Sequence, residues 1–205
     1  MNHNYFKKLS LLLVCIVSLS AFVQAQGTRL LRQPTLSDTH IAFVYAGDLW
    51  VSNINGEQTL RLTSTPAVES APHFSPDGKT IAFSSNRAGV NAVYTVPFTG
   101  GEVTRLTWYP ASADVRGWTP DGKKVLYAST RETAPTSFDR LWTVSRDGGV
   151  STMLNAQWGT KASFAANGKQ IVIDKVRRWD REWRAYRGGQ NTPLIILNLE
   201  DSSEK

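Results

Sequence analysis

Two Asp-Gly-Lys triplets, Asp77-Gly78-Lys79 and Asp121-Gly122-Lys123, are the first places in this 205-residue chain where residue types could do chemistry. Paired carboxylates can divide acid and base duties between them. Their surroundings point elsewhere. In Ser75-Pro76-Asp77-Gly78 and Thr119-Pro120-Asp121-Gly122 the proline presets φ for the second position of a type I turn, the aspartate suits the third, and the glycine can take the positive φ that follows. Turns account for both carboxylates. Beyond residue 25 the only histidines are His40 and His73. No serine sits in a Gly-x-Ser-x-Gly elbow, no His, Cys or carboxylate cluster has metal-ligand spacing, and neither Gly-x-Gly-x-x-Gly nor a P-loop occurs. No catalytic residue, cofactor or metal is expected.

The turns belong to a repeat. Phe74 to Phe83 reads as a strand end, a tight turn and a second strand, in which Ile81 and Phe83 alternate with Thr80 and Ala82, the pattern of a strand with one buried face. Trp118 to Tyr127 begins 44 residues later, Phe164 to Ile173 begins 46 after that, and a degenerate version, Pro34 to Phe43, lies 40 before the first. Strand-turn-strand units with a period in the forties are the signature of a β-propeller built from four-stranded blades. The expected fold is all-β, with blades over 34–65, 66–109, 110–155 and 156–205, preceded by a leader at 26–33.

Each unit repeats one grammar. Ile41 to Tyr45 and Leu49 to Ile54 are strands, Asn55-Gly56 is a hairpin turn, and Thr59 to Thr63 closes the hairpin. The second unit uses Ala92 to Val96, Gly100-Gly101 and Glu102 to Thr107, so that Arg-Leu-Thr recurs at 61–63 and 105–107. The third uses Leu141 to Val144, Gly148-Gly149 and Val150 to Leu154. Trp50, Tyr94 and Trp142 hold the same place in the third strands, where packing between blades explains them better than ligand stacking does. The fourth unit ends with the strand Leu194 to Leu199 and then Asp201-Ser202-Ser203-Glu204-Lys205, where a hairpin turn is expected. Three blades and most of a fourth read as part of a longer ring.

Lys7 and Lys8, an apolar run from Leu9 to Val23, and Val23-Gln24-Ala25 have the form of a secretory signal over residues 1–25, with Gln26 as the first mature residue. The run is short for a membrane span and interrupted by serines, so no membrane association is expected after cleavage. Val14 argues against a lipoprotein reading of Cys15, the only cysteine. An exported chain without a thiol fits a bacterial periplasm or the exterior, with stability drawn from packing. Without Lys7 and Lys8 there are 21 basic side chains against 17 acidic ones, net +4, too modest to argue for nucleic acid.

Two regions could carry function. The start of each blade's innermost strand points toward the axis, which makes Glu69, His73, Asp114 and Arg116 candidates for a channel or rim, joined by Arg131 and Arg177 on connecting segments. Charged rims can steer charged peptide termini. The second region is an insertion at 175–189 in the fourth unit. Trp179, Trp183 and Tyr186 fall at i, i+4, i+7, one face of a short helix, while Arg178 with Glu182 and Asp180 with Arg184 can pair on the others. Its six basic residues against two acidic ones, interleaved with aromatics, permit a nucleic-acid reading. An amphipathic segment docked by its rings is the better account.

The repeat resembles that of TolB-like proteins and of the propellers of several exported peptidases. A narrower resemblance runs the whole mature length: Ile41-Ala42-Phe43-Val44 with Gly47-Asp48-Leu49-Trp50, then Gly117-Trp118-Thr119-Pro120-Asp121-Gly122, then Trp183-Arg184-Ala185-Tyr186-Arg187-Gly188-Gly189. The combination looks like the N-terminal propeller of tricorn-type serine proteases. That resemblance implies about three and a half blades of a six-bladed ring, followed in the family by a second propeller and by catalytic domains with a PDZ domain between them. It also implies peptide substrates and partners among protease domains or further copies of the chain. The family's serine, histidine and glutamate have no counterpart in this sequence. A TolB-like protein-binding propeller and the propeller of a prolyl-oligopeptidase-like enzyme are the competing readings.

Overall fold

The protein's computed structural model describes residues 30–156, 158–175 and 194–205, and within them every regular element is a β-strand. The first sheet holds β1 (Arg32–Leu36), β2 (His40–Tyr45), β3 (Asp48–Asn53) and β4 (Leu60–Arg61). The second holds β5 (Glu69–Phe74), β6 (Thr80–Ala88), β7 (Val90–Pro97) and β8 (Thr104–Arg105). The third holds β9 (Ala113–Trp118), β10 (Lys124–Ser129), β11 (Arg140–Ser145) and β12 (Thr152–Met153), and the fourth β13 (Lys161–Phe164), β14 (Gln170–Asp174) and β15 (Ile195–Asn198). Each is an antiparallel meander in sequence order. The first strands of successive sheets touch, β1 with β5, β5 with β9 and β9 with β13, as the inner strands of propeller blades do.

The turn chemistry read from the sequence forms as hydrogen bonds. Gly78 N donates to Ser75 O at 2.8 Å, and Asp77 Oδ1 accepts from the Ser75 hydroxyl and from Lys79 N. Gly122, Thr119, Asp121 and Lys123 repeat this, and in the fourth blade Asn167 Oδ1 accepts from Lys169 N. These bonds hold the Asp77 and Asp121 carboxyls below their ordinary range, first through the neighbouring hydroxyl and then through the backbone N–H. Gly122 has φ 66°, and a Cβ there would meet Pro76 Cδ at 3.5 Å. The turn of one blade thus packs on the proline of the blade before it.

The core lies in the seams between blades, and here the structure corrects the expectation of a single buried face. Ile81 and Phe83 pack toward the first blade, against Ala42, Leu49 and Val51, while the intervening Ala82 is equally buried in the next seam with Val115 and Trp118. In β10, Val125 and Tyr127 face the second blade and Leu126 and Ala128 face the fourth, beside Ile171, Ile173 and Leu197. A blade has neighbours on both sides, so alternation here divides apolar side chains between two seams rather than separating apolar from polar. Tyr94 and Trp142 fill seams, whereas Trp50 is half-buried, donating from Nε1 to Tyr45 O beneath the Arg61 guanidinium.

One boundary differs from the sequence reading. β1 starts at Arg32, inside the stretch read as a leader, because a bulge between Arg32 and Thr35 lets Gln33 turn to φ 52° and accept from Ala71 N of the second blade. Polar Arg-Gln-Pro carries no alternation, so only the neighbouring blade reveals the strand. At the other end the expected hairpin turn is formed: Asn198 N donates to Ser203 O, and Leu197 bridges Glu204. The stretch read as a secretory signal and the rings of the 175–189 insertion lie outside the described residues.

Candidate functional site

The inner strands place the candidate residues unequally. Glu69 begins β5 but is buried, its Oε1 bound by Arg87 Nη2 at 2.6 Å. Its carboxylate lies inside the blade and does not form a solvent-facing rim. Arg87, which sequence reasoning passed over, also bonds Ser85 Oγ and lies over the Phe83 and Tyr94 rings. A Ser-x-Arg spacing at 85–87 that returns at 129–131 was the available signal.

Arg131 is the counterpart of Arg87 one blade on. Ala113 stands opposite Ser129 as Glu69 stands opposite Ser85, so Arg131 has no buried carboxylate to meet. It pairs instead with exposed Glu132 at 2.9 Å and stacks between Tyr109 and Trp142, with its guanidinium 4.5 and 4.6 Å from their centroids. Burial raises the Tyr127 hydroxyl above its ordinary value in the same seam.

His73, Asp114 and Arg116 form the group that does come together. Asp114 accepts from Asn91 Nδ2 at 2.9 Å, tying β9 to the second blade, and its other oxygen lies 3.8 Å from Arg116 Nη2. Arg116 donates from Nε to Thr160 O, reaching the fourth blade, and from Nη1 to Val115 O. His73 sits on the adjacent inner strand. Burial and then the Arg116 charge lower its pKa from 6.5 to about 4, so at neutral pH its ring is uncharged. The result is a polar belt along two adjacent inner strands, with its two charges, half-exposed Asp114 and Arg116 held on two sides, both on β9 and the uncharged His73 ring on β5. Arg177 lies outside the described residues.

Asp114 and Arg116 can orient charged or polar groups that come against them. Among the described residues no group of three or more His, Cys, Asp or Glu is disposed to hold a metal ion. Two open grooves of about 570 and 590 Å³ lie elsewhere, on the turn face, one beside Phe74, Asp77 and Phe98 and the other beside Pro120, Asp121 and Phe164. Neither includes a residue of the belt.

Residues 28–205 match the family model described as the tricorn protease N-terminal beta propeller domain. Tricorn protease homolog 1 of Streptomyces coelicolor is 33% identical over 177 residues, covering 85% of this chain and 16% of that protein. The crystal structure of the tricorn protease superposes with a TM-score of 0.70 at 26% identity, over 86% of this chain and 18% of that one. The putative TolB from Agrobacterium tumefaciens gives a TM-score of 0.67 at 21% identity, over 86% of this chain and 61% of that one, a likeness of fold. The chain spans less than a fifth of the length of the tricorn relatives it matches.

Proposed function

Because the chain belongs to the tricorn protease N-terminal β-propeller domain family, we propose that it is the non-catalytic propeller of an exported tricorn-type serine peptidase, gating or scaffolding the passage of peptides. The observation that carries this reading is the family match across residues 28–205, nearly the whole of the chain beyond the stretch read as a signal. Asp114 and Arg116, charged groups on the inner strand β9 beside the neutral His73, support it physically, since charges fixed there can steer peptide termini. In this reading the partners are peptide substrates together with protease domains or further copies, and the location is the periplasm or the exterior.

The test uses the full-length protein with Arg116→Ala and Arg131→Ala, assayed for peptide turnover and for the lengths of peptide accepted. The expected result is a changed length preference with the chemical step intact. Unchanged turnover and length preference in both variants would remove the gating role. A TolB-like protein-binding role is the reading that gains if the coding sequence that follows holds neither PDZ-like nor protease segments.

A further inference from the structure

The chain contains two copies of one linker, and the difference between them points to a binding surface. Arg61-Leu62-Thr63-Ser64-Thr65-Pro66-Ala67 joins the first blade to the second, and Arg105-Leu106-Thr107-Trp108-Tyr109-Pro110-Ala111 joins the second to the third. Their scaffolds coincide bond for bond. Leu62 N donates to Leu49 O and Leu106 N to Val93 O, each at 2.8 Å. Leu49 N donates to Thr63 Oγ1 and Val93 N to Thr107 Oγ1, each at 2.9 Å. Arg61 Nε donates to Thr63 O and Arg105 Nε to Thr107 O. Five of seven residues agree, so the tips can be compared as though one were a variant of the other.

The first linker is complete in itself. Arg61 Nη2 meets Asp48 Oδ2 at 2.6 Å, and the tip residues, Ser64 and Thr65, are small and polar. In the second linker the place of Asp48, two residues before the aromatic that pairs with the arginine, is taken by Ala92. Among the described residues no carboxylate lies within ion-pair distance of Arg105. Its guanidinium instead lies 4.3 Å from the centroid of Trp108, which is 73% exposed. Both chain neighbours of Trp108 are anchored, Thr107 by accepting from Val93 N and Tyr109 by stacking under Arg131. An exposed tryptophan on an anchored segment, beside an arginine with no counter-ion among the described residues, resembles the anchor of an interface, where Trp, Tyr and Arg carry most of the binding energy and preorganisation lowers its cost.

We propose that Trp108 and Arg105, with Tyr109 at their side, form the docking site for an acidic segment of a partner protein. A carboxylate of that segment takes the position Asp48 holds in the first linker, and an apolar side chain covers the Trp108 ring. Charge complementarity selects this occupant: the repeat has lost its internal carboxylate and kept the arginine that needs one.

The test is fluorescence anisotropy of a dye-labelled twelve-residue peptide, glutamates flanking a central Leu-Phe, titrated with the full chain at low and high salt. Glutamine replaces every glutamate in the control peptide. Binding of the acidic peptide is expected, with at least a tenfold loss in Trp108→Ser, which restores the tip of the first linker, and in Arg105→Gln. The control peptide and high salt should each weaken binding at least tenfold. Lys123→Gln, on the turn face, should leave the affinity unchanged. Equal affinity for the two peptides, unaltered binding in Trp108→Ser, an equal loss in Lys123→Gln, or no binding at all would each overturn the proposal.

Discussion

Arg87 Nη2 lies 2.6 Å from Glu69 Oε1 inside the second blade, while Arg131, at the equivalent place in the third, faces Ala113 and turns outward to Glu132. One repeat thus offers two solutions to the same arginine. In one the charge is buried with its counter-ion, and in the other it is stacked between rings near solvent.

Removing Arg87 alone strands a fully buried carboxylate. Arg87→Ala should therefore cost about 3 kcal/mol, as breaking a buried pair does. The double variant Glu69→Ala with Arg87→Ala, which copies the alanine of the third blade, should recover a clear part of that loss. Urea unfolding of both variants measures this, and a loss under about 0.5 kcal/mol in Arg87→Ala would contradict it.

His73 should make the fold lose stability in mild acid. Its folded pKa of about 4 lies below its ordinary 6.5. Above pH 6.5 both states are neutral there and the group contributes nothing. As pH falls from 6.5 toward 4 the unfolded chain takes up a proton that the folded chain refuses, which costs the fold up to about 3 kcal/mol. His73→Asn should flatten the stability profile across that window, read from urea midpoints at pH 7, 5.5 and 4.5.

The Asp77 pair works in the opposite sense and is weaker. Its carboxyl pKa is depressed, chiefly by the Ser75 hydroxyl and the Lys79 N–H and least by Arg146, whose Nη1 lies 3.6 Å away. The stabilisation is present above pH 3.8 and lost as pH falls through the lower folded value. Both side chains are more than a third exposed, so Arg146→Gln should change stability at pH 7 by less than about 1 kcal/mol. A larger change in thermal or urea unfolding would show that Arg146 also holds the second and third blades together through Thr80 and Trp118, which it also touches.

Gly159 is needed for close approach. A Cβ there would lie 2.8 Å from Ile173 Cγ2 and 3.0 Å from Leu141 Cδ1, both in the seam between the third and fourth blades. Gly159→Ala should cost about 1–3 kcal/mol by overpacking. A variant as stable as the parent in urea would show that the seam can open.

Glycine, proline and aspartate at fixed offsets, repeated with strand-length apolar runs between them, were enough for the sequence alone to determine an all-β chain of propeller blades and the turns within each. Such information is local: a turn needs a proline's φ, a glycine's positive φ and an aspartate that bonds its own backbone. Arg-Leu-Thr could be recognised as a recurrent unit but not interpreted, because its hydrogen bonds run to β3 and β7, many residues away. The tertiary structure alone decided which charges are buried and which are offered to solvent. Glu69 and Asp114 both sit at the starts of inner strands, yet the first is sealed against Arg87 and the second is half-exposed beside Arg116. Arg61 and Arg105 share four of the six residues that follow them and differ in whether a carboxylate stands across the strand pair. Burial and ion pairing depend on residues brought close by the packing of one blade against another, and no spacing along the chain encodes that distance.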